Sequence, residues 1–149
     1  LVIGLPILLL WIIGQGLVLH YLDIEPPAQP IARWLHQQAQ QGLNFRLVFL
    51  IFLAVVAAPV TEELLFRGMI YLPLRKLTGT LKASIGVSLI FAGVHGYAAG
   101  LGHLFILAMI LAWLVETTET MILPIVVHGI HNGTMIALMF LFGGEMLAG

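Results

Sequence analysis

The 149-residue chain has no cysteine, few charges and almost no net charge. Without cysteine there are no disulfides and no thiolate metal sites, and the redox compartment leaves no trace. Charged residues make up 9% of the chain and hydrophobic residues 60%, against about 25% charged in a soluble domain. Such a chain is built for lipid. A net charge of -1 provides no basic surface for a nucleic acid, so none is expected as a partner. The few charges that remain are oddly placed. Glu62, Glu63 and Arg67 lie inside an apolar stretch that runs from residue 47 to residue 74. In a bilayer core each would cost roughly 2.5 kcal/mol or more unless paired or hydrated.

Five apolar stretches, residues 1–22, 45–74, 82–97, 102–115 and 121–142, reach or approach the roughly 20 residues that span a hydrocarbon core. The expected fold is therefore all-α, a polytopic membrane helix bundle with about five spanning helices. Residues 82–97 and 102–115 are short for the task, which points to tilt or burial among neighbours. Residues 1–22 are too long and too lightly flanked by basic residues for a cleaved signal peptide. The chain opens on Leu1 rather than Met, and we expect it to be a trimmed piece of a longer protein. Residues 1–44 form a spanning helix plus an extramembrane loop, 45–142 a core, and 143–149 a tail. In the loop, Ile31, Trp34 and Leu35 recur at helical spacing, which fits a short interfacial helix or a polar loop with apolar anchors. Arg75, Lys76 and Lys82 cluster between the second and third stretches, which puts that loop in the cytoplasm. Arg33 and Arg46 on the other side weaken the bias.

Glu63 and Arg67 stand at i and i+4 with the acid first, the favourable order for a pair. Glu62 is rotated about 100° away and has no partner on its own helix. An unpaired carboxylate in such a place suits a general base. Pro59, three residues upstream, opens the backbone ladder and can admit water. The competing explanation is a charge cluster that pins helices together. Further along, Phe91 and His95 share one helix face, as do His128 and Asn132, with Gly93, Gly96, Gly129 and Gly133 allowing close helix approach.

Taken singly, each histidine is as well explained by a core ring bonded to a carbonyl. Depth changes that. Glu62 lies 13 residues before Arg75, and His95 lies 13 residues after Lys82, so at about 1.5 Å per residue both sit nearly 20 Å from that loop. His128 and Asn132 fall about 12 to 18 Å in by the same measure. Four hydrophilic side chains from three helices share one layer. His131 points about 100° away from Asn132 and reads as supporting or structural. His103 reads as interfacial, and Glu116 and Glu119 as solvated or capping. His20 and His36 belong to a helix end and a loop.

With these residues in order, the chain resembles the CAAX protease and bacteriocin-processing family of intramembrane proteases, which includes the CAAX prenyl endopeptidases. Glu62-Glu63-Leu64-Leu65-Phe66-Arg67 matches the family's Glu-Glu-x-x-x-Arg, Phe91 to His95 its Phe-x-x-x-His, and His128 to Asn132 its His-x-x-x-Asn. The resemblance covers residues 45–142 and implies a hydrolase in a multi-pass membrane protein, for which we expect a bacterial cytoplasmic membrane. It implies that Glu62, helped by His95, activates a water, while His128 and Asn132 stabilise the oxyanion. Glu63, Arg67 and Phe91 support the site. The substrate class it implies is a membrane-associated peptide or protein, either a prenylated tail or a bacterial peptide. Members are often called metalloproteases, and Glu62, His95 and His128 could supply a zinc His₂Glu set. No His-Glu-x-x-His motif is present, which favours the glutamate-activated water over zinc. Two rivals stand beside the protease: a non-enzymatic bacteriocin self-immunity or scaffold protein of the same family, and a proton or ion carrier. A scaffold needs none of the four polar residues, and a carrier needs a polar path to both faces.

Overall fold

The computed structural model of the chain describes Gly14, residues 30–96 and residues 100–146. These residues form helices and turns with no strand among them. The expected span at 1–22 lies outside the described residues apart from Gly14. Helix α1 is Pro30–Gln40, so the segment before the core is a helix rather than a polar loop. It buries Leu35 and leaves Trp34 half exposed, and it packs on the start of α2 and on α5.

Helix α2 covers Phe45–Thr78. Asn44 caps its N-terminus by accepting the Leu47 N–H at 3.0 Å. Gly79, at φ +83°, ends it and starts α3 (Thr80–Val94) with a one-residue turn. Glycine reaches that backbone conformation without steric cost. Helix α4 is Leu101–Thr118 and α5 is Ile122–Met146. Among the described residues, three helical stretches are long and apolar enough to cross a membrane: Phe45–Thr78, Leu101–Thr118 and Ile122–Leu141. The protein is an integral, multi-pass membrane protein, and of the four spans expected beyond residue 44 three are found among the described residues. Helix α3 has only 15 residues, about 22 Å of rise against a core near 30 Å. It stops at Val94 because Gly96 adopts φ +62° and returns its N–H to the Gly93 carbonyl, a glycine stop of the usual kind.

Helix α3 packs mainly on α4. Ala83, Ala92, Ala108 and Ala112 keep those two helices close, and Phe66, Tyr71, Val87, Phe91 and Leu104 complete that core. A second cluster joins Leu107, Leu111 and Leu114 of α4 to Val127 of α5. The outward faces carry exposed apolar side chains such as Phe52, Leu89, Trp113 and Ile130, as a lipid-facing surface requires.

Candidate active site

Helix α2 is not a regular α-helix. It carries two π-helical segments, Leu53–Ala57 and Leu64–Tyr71, on either side of Glu62 and Glu63. Segments with i→i+5 bonding inside α-helices are rare and recur at functional sites. The first has a visible chemical cause. Ala58 donates to Leu53, and in that register residue 59 would donate to Ala54. Residue 59 is proline and has no N–H, so the Ala54 carbonyl needs another partner. Asn132 Nδ2 of α5 donates to it at 2.9 Å. Nearby, a Cβ on Gly129 would fall 2.6 Å from the Val55 carbonyl oxygen. Only glycine lets α5 approach α2 this closely.

That approach delivers His128 to the glutamates. Glu63 is fully buried, and its Oε1 accepts from Arg67 Nη1 at 3.0 Å and from His128 Nδ1 at 2.9 Å. Arg67, equally buried, also donates from Nη2 to the Ala108 carbonyl at 3.0 Å. The expected Glu63–Arg67 pair is therefore present, and each partner is tied to another helix. Phe91 packs beneath the site: its ring centre lies 4.9 Å from Arg67 Cζ, 4.6 Å from the His95 ring and 5.8 Å from the His128 ring.

Glu62 has no partner on α2, as expected, but two imidazoles approach it from other helices. His128 Nε2 is 3.7 Å and His95 Nε2 4.0 Å from Glu62 Oε2. Both separations are too long for a direct hydrogen bond. Glu62 Oε2 is buried and makes no hydrogen bond with the protein. Each imidazole has its other nitrogen committed. His95 Nδ1 is 2.7 Å from the Phe91 carbonyl, which can only accept, so Nδ1 donates and the neutral ring turns a lone pair to Nε2. His128 Nδ1 donates likewise to Glu63 Oε1, which also accepts from Arg67. Two imidazole nitrogens and one carboxylate oxygen thus face a common gap. Among the described residues no group of three His, Asp or Glu side chains is already closed to metal-ligating spacing.

One other expectation changes. Glu116 is neither free in solvent nor a cap. It accepts a hydrogen bond from Tyr71 at 2.7 Å and pairs with Arg75, while Ser84 reaches Tyr71 at 3.4 Å. The contact joins residues 45 positions apart in the chain, and no local pattern announces it. His103, in the first turn of α4, has its ring 6.3 Å from that of the buried His131. His20 and the His36 side chain lie outside the described residues. The backbone acceptors Ala54 and Ala108 were also missed. Pro59 was the signal for the first, and the second has none.

A family model described as Type II CAAX prenyl endopeptidase Rce1-like matches residues 44–134. The chain belongs to this family. The match takes in all of Glu62, Glu63, Arg67, Phe91, His95, His128 and Asn132, and ends before the last turns of α5. No curated protein and no solved structure matches the chain. The Rce1-like family therefore rests on this match and on the three motifs, and the geometry around Glu62 belongs to this chain's own fold.

Proposed function

We propose that this protein is an intramembrane endopeptidase that hydrolyses membrane-proximal peptide bonds of a prenylated protein tail or a bacterial peptide. Membership of a CAAX endopeptidase family supports the substrate class. The observation that carries the chemistry is the buried, unbonded Glu62 Oε2 facing two imidazole nitrogens. A water hydrogen-bonded to Glu62 and His95 Nε2 gives its proton to Glu62 as its oxygen attacks the peptide carbonyl. His128, held on Glu63 through Nδ1 and carrying on Nε2 a proton taken from solvent before the substrate binds, and Asn132, through the N–H not given to Ala54, donate to the oxyanion. Glu62 then returns the proton to the leaving amine. Arg67, Glu63 and Phe91 fix His128 and His95 in place and do not touch the substrate.

The same donors fit zinc in kind. Each imidazole already holds its other ring nitrogen on an oxygen acceptor, as metal-binding histidines do. They stand wider than the roughly 3.4 Å between neighbouring ligands of a tetrahedral zinc. If zinc binds, Glu62, His95 and His128 hold it, and it would supply a water acidified for attack.

The test uses purified protein in detergent and a quenched peptide with a membrane anchor. Glu62→Gln should lower turnover by about 10²- to 10⁴-fold while the thermal unfolding curve keeps its shape. Undiminished turnover would refute the mechanism. A chelator series with measurement of bound metal separates the water scheme from the zinc scheme.

A further inference from the structure

Water and substrate must both reach Glu62, and the described helices leave one direction for them. Helix α3 ends at Val94 with His95 as its cap, and α4 starts at Leu101. Helices α2 and α5 do not stop at that level. Helix α2 runs 17 residues from Glu62 back to Phe45, and α5 runs 18 from His128 to Met146, roughly 25 Å each. There α2 packs on α1 and α5. The bundle is therefore stepped. Helices α3 and α4 end as a ledge at the catalytic layer, beside a wall made by α2 and α5.

Between the ledge and the Arg75–Lys82 loop the interior is closed. Glu63 and Arg67 are sealed there, and Phe66, Tyr71, Val87, Phe91 and Ala108 are buried around and beneath them. His95 lies 13 residues beyond Lys82, so an approach from the loop crosses about 20 Å of packed interior. On the other side of the ledge the site is open. The side chains of Glu62 and His95 are 28% and 30% exposed, and Val94 and Leu101 beside them are exposed as well. That side also carries groups that can bond water: His103 in the first turn of α4, and Asn132 one turn beyond His128. The distance is short too. The 15 residues of α3 rise about 22 Å, which leaves about 8 Å to the far boundary of a 30 Å core. Intramembrane polar groups that face a cavity open to water are tolerated, and those in a dry core are not.

We propose that the catalytic gap is entered from the membrane face on which α3 ends and α4 begins, opposite the Arg75–Lys82 loop. Its substrate is then a peptide anchored in the leaflet on that side. The peptide is drawn over the end of α3 onto Glu62 while its anchor stays in the lipid, and the attacking water arrives the same way. A peptide held in the other leaflet cannot reach Glu62 without crossing the packed core, whose uppermost layer is the Glu63–Arg67 pair. The direction of access rests on the fold; only the substrate part rests on the proposed protease activity.

The chain has no cysteine, so an introduced thiol is unique. Lys82→Cys marks the loop face, Leu101→Cys the opposite face, and Glu62→Cys the gap itself. Each variant, in membrane vesicles of one orientation and in the inverted preparation, is treated from outside with a small charged thiosulfonate that does not cross lipid. Glu62→Cys should be labelled in the same preparation as Leu101→Cys, and Lys82→Cys in the other. Unfolding curves and labelling in detergent check that each variant is folded and its thiol reactive. Thr61→Cys, exposed beside an intact Glu62, repeats the reading if Glu62→Cys unfolds. Labelling of the gap together with Lys82→Cys, or from neither face, overturns the proposal. A quenched peptide with a lipid anchor, added from outside, should be cleaved by the unaltered protein only in the preparation that labels Leu101→Cys. Cleavage in the preparation that labels Lys82→Cys overturns the substrate part. Absence of cleavage in both, with the gap labelled beside Leu101→Cys, would overturn the protease reading but keep the direction of access.

Discussion

The bundle holds two arginine–carboxylate pairs, and they are built to different ends. Glu63–Arg67 is sealed inside, with side-chain exposures of 0% and 1%. Arg75–Glu116 sits at the far end of α2 with exposures of 35% and 22%. The inner pair is short-range in sequence and long-range in effect, since Glu63 also holds His128 and Arg67 also holds Ala108. The outer pair is the reverse. It joins α2 to α4 directly, with Tyr71 as a third member, and touches nothing that Glu62 faces. Burial makes the inner pair an obligate unit, because neither charge can be left alone there. Water reaches the outer pair and can replace either partner.

The largest expected effect follows from that contrast. Arg67→Met leaves Glu63 buried without its arginine and with only the His128 hydrogen bond, which should cost about 3–5 kcal/mol in denaturant unfolding from detergent. Arg67→Met combined with Glu63→Gln should recover part of the loss, because no buried charge remains. Arg75→Met should cost far less. Equal losses for Arg67→Met and Arg75→Met would break the comparison.

A backbone contact at the inner pair comes next. Gly129→Ala puts a methyl 2.6 Å from the Val55 carbonyl, and relief requires α5 to move away from α2. Overpacking of this kind costs about 1–3 kcal/mol, and the movement should carry His128 off Glu63, so turnover should fall more than stability. At Gly133 the same methyl meets only Val55 side-chain atoms at 3.8 Å. Gly133→Ala is thus the matched control and should leave both nearly unchanged. Similar turnover in the two variants would show that the close approach does not position His128.

At the outer pair, Tyr71→Phe removes one hydrogen bond to a carboxylate that Arg75 still holds and water still reaches. About 1 kcal/mol should be lost, with turnover unchanged. Loss of turnover would mean that the two pairs are coupled, and that their separation along α2 is only apparent.

These contrasts also mark what could be read from the chain alone. Glu63 and Arg67 were legible because helical spacing makes i and i+4 neighbours whatever the fold. The gathering of Glu62, His95 and His128 was legible because the residue count from a shared turn measures depth. Tyr71 and Glu116 were not, since their contact depends on how α2 leans on α4. The excess of spans came from α3, where Gly96 takes a positive φ and ends the helix while the apolar composition continues. Asn132 is the instructive case. Its placement followed from sequence, but its partner is a backbone carbonyl released by Pro59, and the proline's effect on the hydrogen-bond register had to be seen in the fold.

The smallest effect lies between α4 and α5. Glu119 ends α4 at φ +53°, the one non-glycine residue with positive φ among those described. Its N–H closes the helix onto the Val115 carbonyl, so the conformation serves the cap while the side chain stays exposed. A side chain in that region costs about 1–2 kcal/mol, and glycine removes the cost but adds freedom to the unfolded chain. The balance should leave Glu119→Gly more stable by a few tenths of a kcal/mol to about 1 kcal/mol. Glu119→Ala keeps the Cβ and should show no gain. Unfolding midpoints of the two variants measured side by side decide it, and a gain in the alanine variant would assign the effect to charge. Since Glu119 lies one turn beyond Glu116, that result would extend the outer pair into a two-carboxylate neighbourhood and sharpen its difference from the sealed one.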